Sequence, residues 1–152
     1  MKEQTKRVIL LVVICVVTLS VLIIALKLHE NKENNSLATS DISNYLTEIN
    51  YDEIENHVIE QPSAIIYVSN SSEEKTIDFE KIFIPVIKEY NLENDIIYIN
   101  INETTIADPF YQNAPELIFY ENAEVKDVID VSALNKSSEV EEIFKERSVI
   151  GD

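Results

Sequence analysis

An uninterrupted apolar segment near the N-terminus constrains this chain more than any other feature. Residues Val8 to Leu26 contain no charged side chain. As an α-helix with a rise of ~1.5 Å per residue, this segment would extend ~28 Å, close to the ~30 Å hydrocarbon core of a bilayer. We therefore predict a transmembrane helix over residues 8–28, through which the protein contacts the cell membrane.

The charges beside this segment predict its orientation. Lys2, Lys6 and Arg7 precede it, and positive residues next to a first membrane helix favour retention in the cytoplasm. We expect a cytoplasmic tail over residues 1–7 and an extracytoplasmic remainder. A cleaved secretory signal is the alternative. Its apolar core is usually shorter, ~7–15 residues, and ends near a small-x-small site, whereas the nearest such site here, residues 36–38, lies well beyond the apolar run.

Acidic residues dominate the part of the chain that follows the apolar segment. The chain has 28 acidic and 12 basic residues, and every acidic residue except Glu3 follows residue 28. Nucleic acid is excluded as an expected partner, because phosphate recognition requires Lys and Arg. Two interpretations of the negative charge stay open, namely solubility and attraction to a basic partner or to cations of the envelope.

The single cysteine, Cys15, lies inside the apolar segment, where we interpret it as a small residue facing lipid. The remainder of the chain has no thiol, which excludes disulfides, thiolate metal sites and thiol catalysis there. A hydrophobic core must therefore stabilise the exposed part, and ~100 residues are enough to form one. We expect neither a cofactor nor a bound metal.

The exposed part divides into a linker and one domain. Residues 29–40 are polar and aperiodic, which predicts a flexible linker, and residues 41–152 are expected to form a single domain. Pro85 is expected to kink the middle helix, and the last helix is expected to open with a capping box of Ser138 and Glu141. Apolar spacing predicts strands over 45–49, 63–69, 95–101, 116–120 and 124–131, helices over 51–60, 79–90 and from 138, a loop over 70–75, a connector over 102–113 and a hairpin turn over 121–123.

This order of elements resembles the thioredoxin fold. A strand over residues 64–68 leads through a loop into a helix that contains Pro85, and a second core strand follows. Residues 114–125 are similar to the family's unit of cis-proline, strand, turn and strand, with Pro115 as the cis-proline. The resemblance covers residues 46–147 and is closest to membrane-anchored proteins of Gram-positive bacteria, a group that includes bacteriocin transport accessory proteins. It implies an α/β fold, a thioredoxin-like mixed sheet flanked by helices, preceded here by one N-terminal transmembrane helix.

The sequence departs from this family at the redox motif, Cys-x-x-Cys at the start of the second helix. Counted back from Pro85 in the family's spacing, the two cysteine positions fall at Ile77 and Glu80. With a different gap in the loop, they fall at residues 71 or 72 and 74. Neither register contains a cysteine, so dithiol exchange has no sulfur atoms to use and the domain is predicted to be redox-inactive.

The resemblance also implies a possible binding groove. In thioredoxin-like domains, the backbone beside the cis-proline can pair with an extended peptide, a form of strand addition. The residues expected to line such a groove are Ala114, Pro115, Ser71, Ser72, Phe110 and Tyr111. The alternative is that Pro115 only shapes a turn before the sheet.

No other group of residues predicts catalysis. His57 is the only histidine of the predicted domain and lies among acidic residues of a predicted helix, so we interpret it as a solvated side chain. Ser71 and Ser72 lack the sequence context of a nucleophile elbow. Asp127 and Asp130 lie near each other on a predicted strand, but no calcium-loop pattern surrounds them. We therefore predict that the protein is not an enzyme.

Two functions fit these features. The first is a non-catalytic protein-binding or accessory module, anchored to the cell membrane and serving an unidentified protein partner in the membrane or envelope. The second is an accessory or immunity factor in the export of a bacteriocin or another peptide, or in defence against one. In that second function, the membrane helix itself would carry the interaction.

Overall fold

The structure is a computed structural model that describes residues 16–20, 40–102 and 106–151. Residues 16–20 are helical. Within the described ranges, no helix combines the length and the apolar character needed to cross a bilayer. The predicted cytoplasmic tail, most of the predicted transmembrane helix and nearly all of the predicted linker lie outside the described residues, so these assignments stay predictions.

The chain divides into two compact units, Met1–Ala38 and Thr39–Asp152, and the second contains a five-stranded mixed sheet. Its strands are β1 (Thr47–Glu48), β2 (Ile65–Ser69), β3 (Ile96–Asn100), β4 (Glu116–Glu121) and β5 (Glu124–Asp130). Its α-helices are α1 (Ile54–Glu60), α2 (Glu74–Tyr90) and α3 (Ser137–Glu146), with 3-10 turns at Ile42–Asn44, Tyr51–Glu53 and Pro109–Tyr111.

The strands follow the order β1-β3-β2-β4-β5. Strands β1, β3 and β2 are parallel, β4 is antiparallel to β2, and β5 is antiparallel to β4. All five residues of β2 are buried, as expected for a central strand that helices cover on both faces. The predicted α/β fold, a mixed sheet flanked by helices, is therefore confirmed.

The two faces of the sheet bury different kinds of side chain. Because side chains alternate along a strand, β2 and β4 contribute to both cores. The face covered by α2 and α3 combines aliphatic side chains with a group of aromatic rings, whose neighbouring centroids lie 5.0–6.2 Å apart among Tyr67, Phe79, Phe83, Phe119 and Phe144. The face covered by α1 is mainly aliphatic and includes Ile54, Val58, Ile66, Val68 and Ile118. Each fully buried side chain of this size contributes about 1.5–3 kcal/mol.

Helix α2 differs from its predicted extent at its N-terminus. It begins at Glu74, within the segment predicted as a loop, and it continues through Pro85 to Tyr90. Asn91 ends it in the left-handed conformation, with φ of 56°, a common way for a helix to stop.

The predicted capping box of Ser138 and Glu141 is wrong, because α3 begins one residue before Ser138. The carboxylate of Glu139 accepts hydrogen bonds from the backbone N–H groups of Asn135 (2.8 Å) and Lys136 (3.0 Å) instead. These donors belong to the unpaired amides at a helix start. Which side chain caps a helix depends on the residue at which the helix begins. The sequence pattern did not fix that residue for α3.

The hairpin turn between β4 and β5 is formed as predicted. Glu121 pairs with Glu124, and the two residues between them, Asn122 and Ala123, have φ of 56° and 64°. Positive φ at both central residues is typical of a type I′ turn, whose twist suits a hairpin. Ala123 carries a Cβ into a conformation that costs a residue other than glycine about 1–2 kcal/mol.

Hydrogen bonds among asparagine and serine residues connect the segment just before α2 to the end of β3. The side-chain oxygen of Asn100 accepts from the N–H groups of Ser71 (3.3 Å) and Asn102 (3.1 Å), and its amide nitrogen donates to Ser71 Oγ (3.1 Å). Ser72 Oγ lies 2.8 Å from Asn70 Oδ1 and 3.1 Å from Asn102 Oδ1. The network joins the loop between β2 and α2 to the end of β3 and to the residue that follows Ile101.

We expect Ala123→Gly to raise the free energy of unfolding by about 0.5–1 kcal/mol, because relief of the left-handed strain exceeds the added entropy of the unfolded chain. Urea denaturation of the full chain in mild detergent, followed by circular dichroism, measures the change. Ala133→Gly is the matched control, since Ala133 is exposed and its φ is not positive. That control should be neutral or destabilising, and equal effects at the two sites would contradict the argument.

We expect Asn100→Ala to lower the free energy of unfolding by about 1–3 kcal/mol, because it removes three hydrogen bonds at a half-buried position. The same urea titration measures this loss. Asn94 is an exposed asparagine on a turn, so Asn94→Ala should change stability by less than about 0.5 kcal/mol. Similar losses in the two variants would show that the Asn100 network does not stabilise the domain.

Candidate functional site

Pro115 lies beside the β2–α2 loop because of the register of the sheet. Val68 of β2 pairs with Glu116 of β4, and the two strands are antiparallel. The residue before Glu116 therefore lies across from the end of β2, next to Asn70 and the first turn of α2. This end of the sheet is the place where the resemblance predicted a groove.

The peptide bond between Ala114 and Pro115 is cis, which confirms the assignment of Pro115 from the sequence. Both residues are buried, and Ala114 is 4% exposed. The carbonyl of Pro115 accepts from the N–H of Val131 (3.2 Å). The N–H and the carbonyl of Ala114 form no hydrogen bond within the part of the chain that the structure describes. Buried backbone groups are nearly always paired. Ala114 is an exception, because its N–H is a free donor and its carbonyl is a free acceptor.

Ser71 and Ser72 lie on the loop between β2 and α2. Ser71 is half-buried and bonded to Asn100 and Asn102, whereas Ser72 is exposed. Their hydroxyls hold the loop in position and are engaged by amides. Asn70 lies in the loop that was expected to line the groove, whereas Asn100 and Asn102 were not predicted as site residues, because their role depends on contacts between the ends of two strands.

Phe110 and Tyr111 occupy very different environments. Phe110 is 44% exposed, whereas Tyr111 is 2% exposed. The Tyr111 ring packs edge-on against Tyr51 at 5.4 Å, and its hydroxyl bonds to that of Tyr120. Burial raises the pKa of Tyr111, and the hydrogen bond with Tyr120 acts in the same direction. Asp108 accepts from the Tyr51 hydroxyl and the Phe110 N–H, both at 3.0 Å. Tyr111 therefore holds the connector on the sheet and leaves Phe110 at the surface.

Two acidic residues, Glu116 on β4 and Asp130 on β5, lie near Pro115 on neighbouring strands. Glu116 is 8% exposed and pairs across the ladder with Asp130. Burial raises the pKa of Glu116; the Asn113 amide and Lys75 oppose this, and Asp130 adds to it. Lys75 itself forms an ion pair with Glu73 at 3.1 Å. Among the described residues, the surroundings of Pro115 are thus acidic, and the nearby Lys75 already has a partner.

Glu80 is the residue at which the family's spacing from Pro85 would place the second cysteine of the redox motif, and it is buried. Glu80 lies inside α2 and is 2% exposed. Its Oε1 accepts from the hydroxyls of Tyr67 (3.2 Å) and Ser69 (3.1 Å), both on β2. Within the described residues, Glu80 Oε2 and Thr76 Oγ1 have no hydrogen-bond partner. The chain has one cysteine in total, so neither register provides a cysteine pair.

A cleft of about 680 Å³ opens at a different part of the sheet. It is lined partly by Lys126, Asp127 and Arg147. Arg147 donates to Asp127 through Nε (3.2 Å) and Nη2, and its guanidinium stacks on Phe119 at 5.0 Å. Lys126 pairs with Glu121 at 2.8 Å. Both cations are therefore neutralised within the protein.

His57 lies on α1, half-buried. In the ranges that the structure describes, no group of three or more His, Cys, Asp or Glu side chains is arranged to hold a metal ion.

Comparison with protein-family models gives no match for this sequence, and comparison with curated proteins gives none either. Solved structures do match. Thioredoxin f2 of Chlamydomonas reinhardtii is similar with a TM-score of 0.52 and 12% identity, covering 70% of this chain and 99% of that one. Thioredoxin O2 from Arabidopsis thaliana in the oxidized state scores 0.48 at 8% identity, covering 67% of this chain and 93% of that one. The zinc-bound form of human ERp44 scores 0.46 at 12% identity, and the match spans 67% of this chain and 32% of that one.

An identity this low shows the fold alone. The strand order, the mixture of parallel and antiparallel pairs and the similarity to thioredoxin f2 all indicate the same fold. The unit Thr39–Asp152 has a thioredoxin-like fold.

Proposed function

We propose that this protein is a single-pass membrane protein that displays a redox-inactive thioredoxin-like domain outside the cytoplasm, where the domain binds an extended segment of another protein without catalysis. The observation that carries the proposal is the pair of free backbone groups on Ala114. A buried residue with an unpaired N–H and an unpaired carbonyl is suited to receive a partner strand, which would pair with both groups.

The surroundings of Ala114 define the kind of segment that fits. Phe110, four residues before Ala114 in the chain, offers an exposed aromatic ring, and aromatic side chains are common anchors of binding interfaces. Glu116 and Asp130 supply negative charge with no cation of their own within ion-pairing distance in the described part of the chain. A segment with an apolar residue and a basic residue near the pairing position therefore complements the site.

The absence of a cysteine pair excludes dithiol exchange by this domain. Dithiol exchange transfers a disulfide between two sulfurs of the enzyme and two of the substrate, and this chain has one cysteine. The apolar segment at residues 8–26 supports an anchor that keeps the domain near the membrane. Partners in the envelope or among exported proteins are therefore the class we propose.

Selection of random dodecapeptides on the full chain in lipid nanodiscs tests this function. We expect selected peptides to protect the Ala114 amide from hydrogen exchange, and we expect Phe110→Ser to weaken their binding about tenfold, the loss typical of one apolar anchor. Ile59→Ser is the matched control, because Ile59 is 63% exposed on α1, and it should leave binding unchanged.

Two results would refute strand addition at this site. One is peptide binding that leaves the Ala114 amide unprotected. The other is equal loss of binding in the Phe110 and Ile59 variants, which would indicate general apolar adhesion.

A second function is favoured by the apolar segment itself, which is long enough to contact another membrane protein. The chain would then serve as an accessory or immunity factor in peptide export or defence, with the helix carrying the interaction. Replacing residues 8–26 with an unrelated apolar sequence of equal length separates the two functions. Partner recovery from cells should survive this replacement if the domain binds and should be lost if the helix does.

A further inference from the structure

The cleft of about 680 Å³ lies at the end of the sheet that is opposite to Pro115. Its lining includes Ile65, which begins β2, and Glu121, which ends β4, whereas Pro115 directly precedes β4. The volume falls within the ~300–1,000 Å³ that is typical of sites for small ligands. The cleft is therefore large enough for a small organic molecule and separate from the groove proposed above.

The guanidinium group of Arg147 forms a fixed, planar part of the cleft wall. The Phe119 ring covers one face, with 5.0 Å between the guanidinium carbon and the ring centroid. The Asp127 carboxylate accepts from Nε (3.2 Å) and from Nη2, and the Ile143 carbonyl accepts from Nη1 (3.1 Å). Arg147 lines the cleft and keeps 25% of its side chain exposed. Its remaining face is therefore held in one orientation before any ligand arrives.

A guanidinium group held in this way favours a ligand that is flat. The face of an aromatic ring is attracted to the charge and to the planar surface of an arginine side chain. An anion, in contrast, binds arginine through the N–H groups in its plane, and Asp127 already occupies two of these donors. Because Arg147 is already ordered, stacking on it loses little side-chain entropy.

The charges around the cleft favour a ligand that is positive. Four acidic and two basic residues line it, namely Asp95, Glu121, Asp127 and Glu146 against Lys126 and Arg147. Both basic residues are paired, Lys126 with Glu121 at 2.8 Å and Arg147 with Asp127. Asp95 is exposed, and within the described part of the chain its carboxylate forms no ion pair or hydrogen bond. A cleft with a surplus of negative charge concentrates cations.

We propose that this cleft binds an aromatic amine, a planar ring joined to a protonated amino group, with the ring stacked on the uncovered face of Arg147 and the ammonium group near Asp95. Ser63 and Ser148 also line the cleft, and their hydroxyl oxygens are suitable acceptors for the ammonium group. A free aromatic amine and the N-terminal aromatic residue of a peptide share this chemistry. The site requires neither the membrane anchor nor strand pairing at Ala114.

Titration of the full chain in mild detergent with tryptamine tests this site. The chain contains no tryptophan, so the fluorescence anisotropy of the indole ring reports the ligand alone, and empty micelles give the background. We expect saturable binding of one tryptamine per chain. Indole-3-acetate, which has the ring and a carboxylate, and hexylamine, which has the amine and no ring, should each compete at least about tenfold less well than unlabelled tryptamine.

A short peptide that begins with tryptophan distinguishes the two sources of the ligand. If it competes better than tryptamine, the natural ligand is the N-terminus of another chain. If it competes less well, the natural ligand is a free amine. Both results support the proposed chemistry.

Three variants locate the binding. Arg147→Lys keeps the charge but removes the flat surface, and it should weaken tryptamine binding about tenfold. Asp95→Asn removes a charge from an exposed turn and should weaken binding about fivefold, a test that remains informative if circular dichroism shows that Arg147→Lys is poorly folded. Asp52→Asn is the matched control, because Asp52 is an exposed acid that does not line the cleft, and it should leave binding unchanged.

Three results would overturn the proposal. The first is tryptamine binding that does not saturate above the micelle background. The second is equal competition by tryptamine, indole-3-acetate and hexylamine. The third is the same affinity in Asp95→Asn and Asp52→Asn.

Discussion

Strand β2 has no exposed side chain, and its burial on both faces is the constraint on which the rest of the domain depends. Ile66 and Val68 require an apolar cover on one side, which α1 provides, and Ile65 requires one on the other, which α2 and α3 provide. A strand buried in this way must be central, so β3 and β4 pair along its two edges. The layered architecture follows from these requirements.

The same burial explains the polar groups in the core. Tyr67 and Ser69 bring two hydroxyls into the aromatic side of the sheet, and a buried hydroxyl needs a partner. Glu80 supplies it from α2, at the helix position where spacing from Pro85 would place a cysteine of a redox-active relative. The interior thus contains a carboxyl group that is bonded to two hydroxyls of β2.

The end of the sheet beside Pro115 combines a fixed frame with free backbone groups. The amide network of Asn100 and its neighbours holds the loop before α2, and the tyrosines around Tyr111 hold the connector on the sheet. Between them, Ala114 keeps both backbone groups unpaired. A rigid frame lowers the entropy that the site itself would lose on binding, which supports the proposed binding of a peptide.

Local patterns in the sequence determined a large part of this protein. The apolar spacing of β2, β3 and α2 predicted the layers, residues 121–123 predicted the hairpin, and the count of cysteines excluded thiol exchange, because each of these depends on residues close together or on composition. The tertiary structure alone decided the partner of Glu80, the free groups of Ala114 and the first residue of α3. These depend on which groups meet across many residues of chain, and periodicity encodes which face of an element is apolar but not which distant polar group will lie against it.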